Sequence, residues 1–299
     1  MSFFAFMGAI ETGLVFGLVA LGTFITFRVL KFPDLTVEGS FPLGAAVTAT
    51  LIVNGVDCYL ASLGGAAAGA IAGLITGWMA VRLRILHILA SILTAIALYS
   101  VNLRIMGRPN TPLLGTTTIF SPLDHVPLPT FLSIPIAMLV IMILVKLALD
   151  RFLNSEVGLA MRATGANPRM AEANGVRTDR LTLLGLAIAN ALTALSGAIF
   201  AQIQGAADIS MGVGVIVIGL AAVIGGGALM PTRTVMQATL ACIIGSILYR
   251  IAIAIALNVD FIGLTASDVN VVTAVLVAFA LVAPGSAFSP SRLFRRRSG

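Results

Sequence analysis

Long apolar runs constrain this chain more than any other feature. Leu181 to Ile203 and Val235 to Leu257 are two of them. Crossing ~30 Å of hydrocarbon takes roughly 20 residues of helix, and each run is that long. A membrane barrel would instead alternate polar and apolar residues over ~10-residue segments, and no such period is present. The composition agrees: 59% of residues are hydrophobic, 10% are charged and the mean hydropathy is +1.06. Soluble domains carry roughly 25% charged residues, and in water a chain this apolar would expose patches that aggregate. The expected fold class is all-α, a polytopic helical membrane protein with about nine transmembrane helices in one domain spanning 1–299.

The nine segments are expected near 5–27, 40–56, 60–81, 85–103, 130–149, 181–203, 213–230, 235–257 and 268–284. Glycines recur at small-xxx-small spacing, as in Gly65, Gly69, Gly73 and Gly77. That spacing lets membrane helices approach closely. The first run has no Lys or Arg before it and contains Glu11, so it reads as a retained helix and not as a signal peptide. Cys58 and Cys242 form no metal or redox spacing, and each is expected to fill space between helices.

The formal charge of +6, from 18 Lys and Arg against 12 Asp and Glu, does not point to nucleic acid. No basic stripe is interleaved with aromatics, and no nucleic-acid partner is expected. The cations sit between apolar runs, as the positive-inside rule requires. The segment 150–180 carries Arg151, Arg162, Arg169, Arg177 and Arg180, and the tail carries Arg292, Arg295, Arg296 and Arg297. Both are expected to be cytoplasmic, with four crossings between them. The same count places Arg233, Arg82, Arg84, Arg28 and Lys31 inside and the N-terminus outside. Arg104 and Arg108 then fall outside, against the rule.

One internal echo stands out. Asp34-Leu-Thr-Val-Glu-Gly-Ser leads into Leu43-Gly-Ala-Ala-Val47, and Asp208-Ile-Ser-Met-Gly-Val-Gly leads into Gly219-Leu-Ala-Ala-Val223. Five crossings lie between, so the copies would be inverted, as in many transporters whose pathway runs between repeats. Chance likeness between two Gly/Ala/Val-rich stretches is the alternative. Pro33, Gly39 and Pro42 interrupt the opening of the second segment, which reads as a broken helix end of the kind that lines pathways. Glu38, Gly39 and Ser40 there, with Asp208 and Ser210 in the second copy, are the pathway candidates. Asp34 is expected to cap, and the membrane-embedded Glu11, Asn190 and Arg250 to make hydrogen bonds between helices.

The longest polar segment between runs is Glu156-Val-Gly-Leu-Ala-Met-Arg-Ala-Thr-Gly-Ala-Asn-Pro-Arg-Met-Ala-Glu-Ala-Asn-Gly-Val176. It reads as two short helices, with Asn167 capping the second, Pro168 in its first turn and Gly175 at its end. The stretch Arg162 to Val176, with the helix ending Ala194-Leu-Ser-Gly-Ala-Ile-Phe-Ala201, resembles the coupling-helix region of ABC permeases. The family is that of branched-chain amino acid and ribose-type importers. Ile218-Gly-Leu-Ala-Ala-Val-Ile-Gly-Gly-Gly227 and Phe32-Pro-Asp-Leu-Thr-Val-Glu-Gly-Ser-Phe-Pro-Leu-Gly-Ala-Ala-Val47 match the same family in order. The latter is similar to a subgroup linked to aromatic or related amino acids.

The resemblance implies a bacterial inner-membrane permease with a cytoplasmic C-terminus and no catalytic site or metal of its own. ATP and Mg would belong to a separate cytoplasmic ABC ATPase subunit. The sequence indeed has no G-x-x-x-x-G-K-[ST] phosphate loop. The remaining implied partners are a periplasmic substrate-binding protein, a second permease copy and the lipid bilayer. The implied ATPase-coupling residues are Met161, Arg162, Gly165, Asn167, Pro168, Arg169, Met170 and Gly175, with Met161, Met170 and Val176 as apolar anchors. The competing class is an ion-coupled secondary transporter or channel, which predicts carboxylates near helix midpoints; here most acids sit at segment ends. An intramembrane enzyme would need a catalytic pair such as Ser/Lys or His/Asp, and none stands out.

Overall fold

The computed structural model describes residues 3–125, 129–230 and 232–257. Its membrane helices are α1 (Phe3–Thr23), α2 (Val37–Val53), α3 (Cys58–Arg82), α4 (His87–Met106), α5 (Thr130–Asn154), α8 (Thr178–Gln204), α9 (Val215–Leu229) and α10 (Val235–Leu257). Two short helices, α6 (Glu156–Ala166) and α7 (Pro168–Ala173), lie between α5 and α8. Among the described residues seven helices are long and apolar enough to cross a membrane; α2 is a shorter apolar helix. Each of the first eight expected segments is thus a helix, and the ninth, 268–284, lies outside the described residues. The chain is an all-α, multi-pass membrane protein.

α8 is the hub, packing against α1, α2 and α3. Small residues make this possible. A methyl added at Gly73 on α3 would lie 2.2 Å from the Leu186 carbonyl oxygen, and one at Gly44 on α2 would lie 1.9 Å from that of Ala194. Leu186, Ile199, Leu14, Leu18 and Met142 are fully buried at the centre. Leu63, Ile96 and Leu144 point outward from α3, α4 and α5, at no cost where the solvent is acyl chain. Cys58 and Cys242 are both buried free thiols.

The bundle's two ends differ in charge. Arg28, Lys31, Arg162 and Arg233 gather at one end, and the last turn of α3 brings Arg82 beside Arg177 and Arg180 there. The opposite end carries a ribbon that an all-helical reading did not anticipate. Strand β1 (Asn110–Pro112) pairs antiparallel with β2 (Ala206–Asp208), with Asn110 opposite Asp208. Three residues are too few to show an alternation, so sequence periodicity could not reveal it.

α1 continues as a π-helical turn, Phe24–Val29. The chain from Leu30 to Thr36 is then non-helical and largely buried: Phe32 is 2% exposed, and Asp34 and Thr36 are fully buried. The Phe32 ring stacks on His87, with centroids 4.2 Å apart. α2 therefore starts inside the bundle. Irregular backbone at that depth survives because protein, not lipid, surrounds it.

Candidate functional site

The two-helix arm is built by its caps. The Ser155 hydroxyl accepts from the Gly158 amide at 3.3 Å to open α6. Asn167 then breaks the helix with extended backbone, and its Oδ1 accepts from the Met170 amide at 3.2 Å while Pro168 occupies the first position of α7. α7 closes in a Schellman motif around Gly175 at φ +82°, with Gly175 N–H donating to Glu172 O and Val176 N–H to Ala171 O. Glycine suits that left-handed position because it lacks a Cβ. The Thr178 hydroxyl donates to Glu172 at 2.6 Å, tying the arm to the first turn of α8.

The arm has an inner and an outer face, and the two divide the expected coupling residues. Met161 is fully buried and packs near Gly185 on α8. It seats α6 on the bundle and is no exposed anchor, which corrects the sequence expectation. Gly165 has a packing role on the same inner face. A methyl there would lie 1.8 Å from the Val29 carbonyl oxygen, so this glycine lets α6 rest on the end of α1, and the bend belongs to Asn167-Pro168. Arg162 turns toward Arg28, Lys31 and Arg233. Arg169 and Met170 face outward, Met170 at 64% exposed. Val176 is half-buried.

At the opposite end a cavity of about 450 Å³ opens between α2, α4 and the turn leading into α9. Glu38, Gly39, Tyr99, Asn102, Ser210 and Gly212 are among its lining residues. Pro42, inside α2, lacks the N–H that would bond the Glu38 carbonyl in a regular helix. That carbonyl oxygen sits 1.9 Å from where a Cβ on Gly212 would stand, so only glycine allows the approach. The Glu38 carboxylate lies near the amide of Gly214, which caps α9 and so lies at the positive end of that helix. Glu38 thereby joins α2 to α9 while facing the cavity.

Ser40 and Asp208, the other two acidic or hydroxyl candidates, do not reach this cavity. The Ser40 hydroxyl donates to Asn190 Oδ1 at 2.7 Å inside the packing, and Asn190 Nδ2 donates to Asp34 Oδ2 at 2.8 Å. This pair realises the interhelical hydrogen bond expected of Asn190. Asp208 holds the turn before α9 through Ser210 and accepts from Asn110 Nδ2 at 3.3 Å. Burial explains the place of Ser40 and a local partner that of Asp208. Sequence reasoning missed Asn102. It is fully buried, donates to the Gly39 carbonyl at 3.3 Å and leaves Oδ1 without a partner among the described residues. An asparagine in the apolar run of α4 was the available signal. Arg250, expected to hydrogen-bond between helices, places its guanidinium 4.0 Å over the Phe16 ring of α1.

Comparison with known proteins agrees with this architecture. Residues 6–283 match the family model described as the permease component of a branched-chain amino acid transport system. A tyrosine transport system permease protein of Clostridioides difficile is 34% identical over 273 residues, covering 91% of this chain and 88% of the relative. An uncharacterized protein of Rickettsia prowazekii is 37% identical over 257 residues, covering 84% and 88%. The chain belongs to the family of branched-chain amino acid transport system permease components, which are carriers of solute and not enzymes.

Proposed function

We propose that this chain is the membrane-spanning subunit of an ATP-driven ABC importer that moves an amino acid across a bacterial inner membrane by alternating access. Two copies would flank one pathway, fed by a periplasmic binding protein and driven by two cytoplasmic ATPase subunits that hold ATP and Mg. The observation that carries this reading is the capped arm α6–α7, which stands on the basic end of the bundle and turns Met170 and Arg169 outward. An exposed apolar side chain on a rigid polar arm suits a protein partner. The clustering of Arg and Lys at that end favours its cytoplasmic placement, and the C-terminus would lie on the same side. Closure of the ATPase would push the arm, and α6 would pass the motion to α1 and α8, on which Gly165 and Met161 seat it. Tyrosine, the substrate named for the Clostridioides relative, is the first candidate solute. The cavity around Glu38 and Asn102 is the proposed stretch of its path.

Met170→Asp tests the arm. A charge forced into an apolar contact costs a few kcal/mol where the site is dry. The variant is expected to insert and fold as the parent does, because Met170 is exposed, and to lose ATPase co-purification and transport. Normal transport with the ATPase still bound would refute the docking role. Purified alone, the chain is expected to hydrolyse no ATP.

A further inference from the structure

Four cations converge where α1, α6 and the α9–α10 connection meet. Arg28, Lys31, Arg162 and Arg233 line one cavity of about 370 Å³, with Thr232 and Thr234. No carboxylate lines it, and among the described residues the ion pair formed is elsewhere, between Lys146 and Asp150. Like charges around a hollow repel one another and focus a field that draws an anion.

Local backbone puts the cations there. The π-helical turn Phe24–Val29 includes Arg28, and such turns are rare and concentrate at functional sites. Lys31 follows at φ 54°, in the left-handed region that a helix end normally gives to glycine. The Phe32 amide closes the turn on the Thr26 carbonyl at 2.8 Å. A lysine is thus kept where a glycine would be less strained.

Arg28 also borders a greasy slot. Arg28 lines a second cavity, about 410 Å³, walled by Phe27, Leu220, Val223 and Ile224 of α1 and α9. The Arg28 guanidinium nitrogen Nη2 lies 3.3 Å from where a Gly227 Cβ would stand, so a larger residue at 227 would crowd the guanidinium that the two cavities share. A soluble anion has no use for the slot, and an acyl chain has no use for the cations.

We propose that basin and slot together hold one anionic glycerophospholipid, with its phosphate among Arg28, Lys31, Arg162 and Arg233 and an acyl chain along Phe27, Leu220 and Ile224. Basic pockets between membrane helices are the recognised chemistry for such head groups. Arg162 stands on α6, so a bound phosphate would bridge that helix to α1 and to the α9–α10 connection. The site does not depend on what the chain transports.

The test is native mass spectrometry and thermal unfolding of the delipidated full chain. Three probes are compared: short-chain phosphatidylglycerol, phosphatidylcholine with the same chains, and inorganic phosphate. Phosphatidylglycerol is expected to be retained at roughly tenfold lower concentration than phosphatidylcholine, and to raise the unfolding temperature. Arg28→Gln with Arg233→Gln should erase that preference, both residues being exposed and tolerant of change. Leu220→Trp should fill the slot and weaken phosphatidylglycerol without altering phosphate; if it fails to fold, Ile224→Trp replaces it. Equal retention of the two lipids, or a preference that survives the double substitution, overturns the proposal. Phosphate protecting as well as phosphatidylglycerol, with no effect of filling the slot, makes this an inorganic-anion site and overturns it too. So does loss of ATPase binding in the double variant with lipid retention intact, since the cations would then serve a protein.

Discussion

Asp34 and Asp208 make the same turn in two different places. In each, Oδ1 accepts from the amide two residues on, Thr36 at 2.9 Å and Ser210 at 2.7 Å. Each turn precedes helix: α2 after Asp34, a 3-10 turn and then α9 after Asp208. The second oxygens differ. Asp34 Oδ2 takes the Asn190 amide in a network where Asp34, Ser40 and Asn190 are all fully buried. Asp208 Oδ2 takes a long 3.3 Å bond from Asn110 at the rim. An Asx turn is local chemistry, written in a few residues. Whether it becomes part of the core is decided by what packs over the other oxygen.

Asn190→Leu is the sharpest way to break that contrast. It removes the donor to Asp34 and the acceptor for Ser40 together, and each buried polar group left unpaired costs about 1–3 kcal/mol, more if charged. A loss of about 4 kcal/mol is expected on that basis, read as a lower unfolding midpoint of the purified chain. Asn110→Leu, at the rim, should cost no more than about 0.5 kcal/mol. Equal losses would mean that burial of the Asp34 network contributes nothing special.

A medium effect is expected where the two regions touch. Gly212, just after the Asp208 turn, presses on the Glu38 carbonyl of α2. Gly212→Ala must push the two apart, and such overpacking costs about 1–3 kcal/mol. It should also widen the cavity beside Asn102 and lower transport more than stability. Gly225→Ala is the control on α9, since a methyl there meets nothing within 4 Å. If both variants transport alike, the Gly212 contact does not shape the path.

These contrasts also show what was legible beforehand. The helices were, because apolar runs of spanning length have no other soluble or barrel explanation. The arm's caps were as well, since Asn167, Pro168 and Gly175 act on their own backbone within a few residues. The facing of the arm was not. Met161 and Met170 are chemically alike, and only the seat of α6 on Val29 and Gly185 turns one inward and the other out. Nor was the close approach at Gly165, because glycine serves both bends and close approaches and its type alone does not say which. The partner of Ser40 was not legible either: Asn190 is distant in the chain and close only after folding.

A small effect is expected at Asp208 itself, and its pH dependence identifies the cause. Asp208→Ala removes an exposed turn acceptor, a change worth about 0.5–1 kcal/mol at neutral pH. The Ser210 hydroxyl, then partial burial in the opposite sense, then the Ser210 amide and Asn110 act on this carboxyl, and the net result holds it below its ordinary value. A carboxyl depressed in the folded state stabilises fully above its unfolded value, about 3.9. That contribution fades as pH falls through the lower folded value. The cost of Asp208→Ala should therefore stay level from pH 7 to about 5 and shrink only below the unfolded value. Asp208→Asn keeps an acceptor for the Ser210 amide and cannot titrate, so its smaller cost should shrink over the same acid range, because only the parent loses its charge there. Measured unfolding midpoints of the three proteins across that range settle the point. A cost of Asp208→Ala that does not change with acid would show that the turn needs only a shape-matched acceptor, and that the charge on Asp208 plays no part.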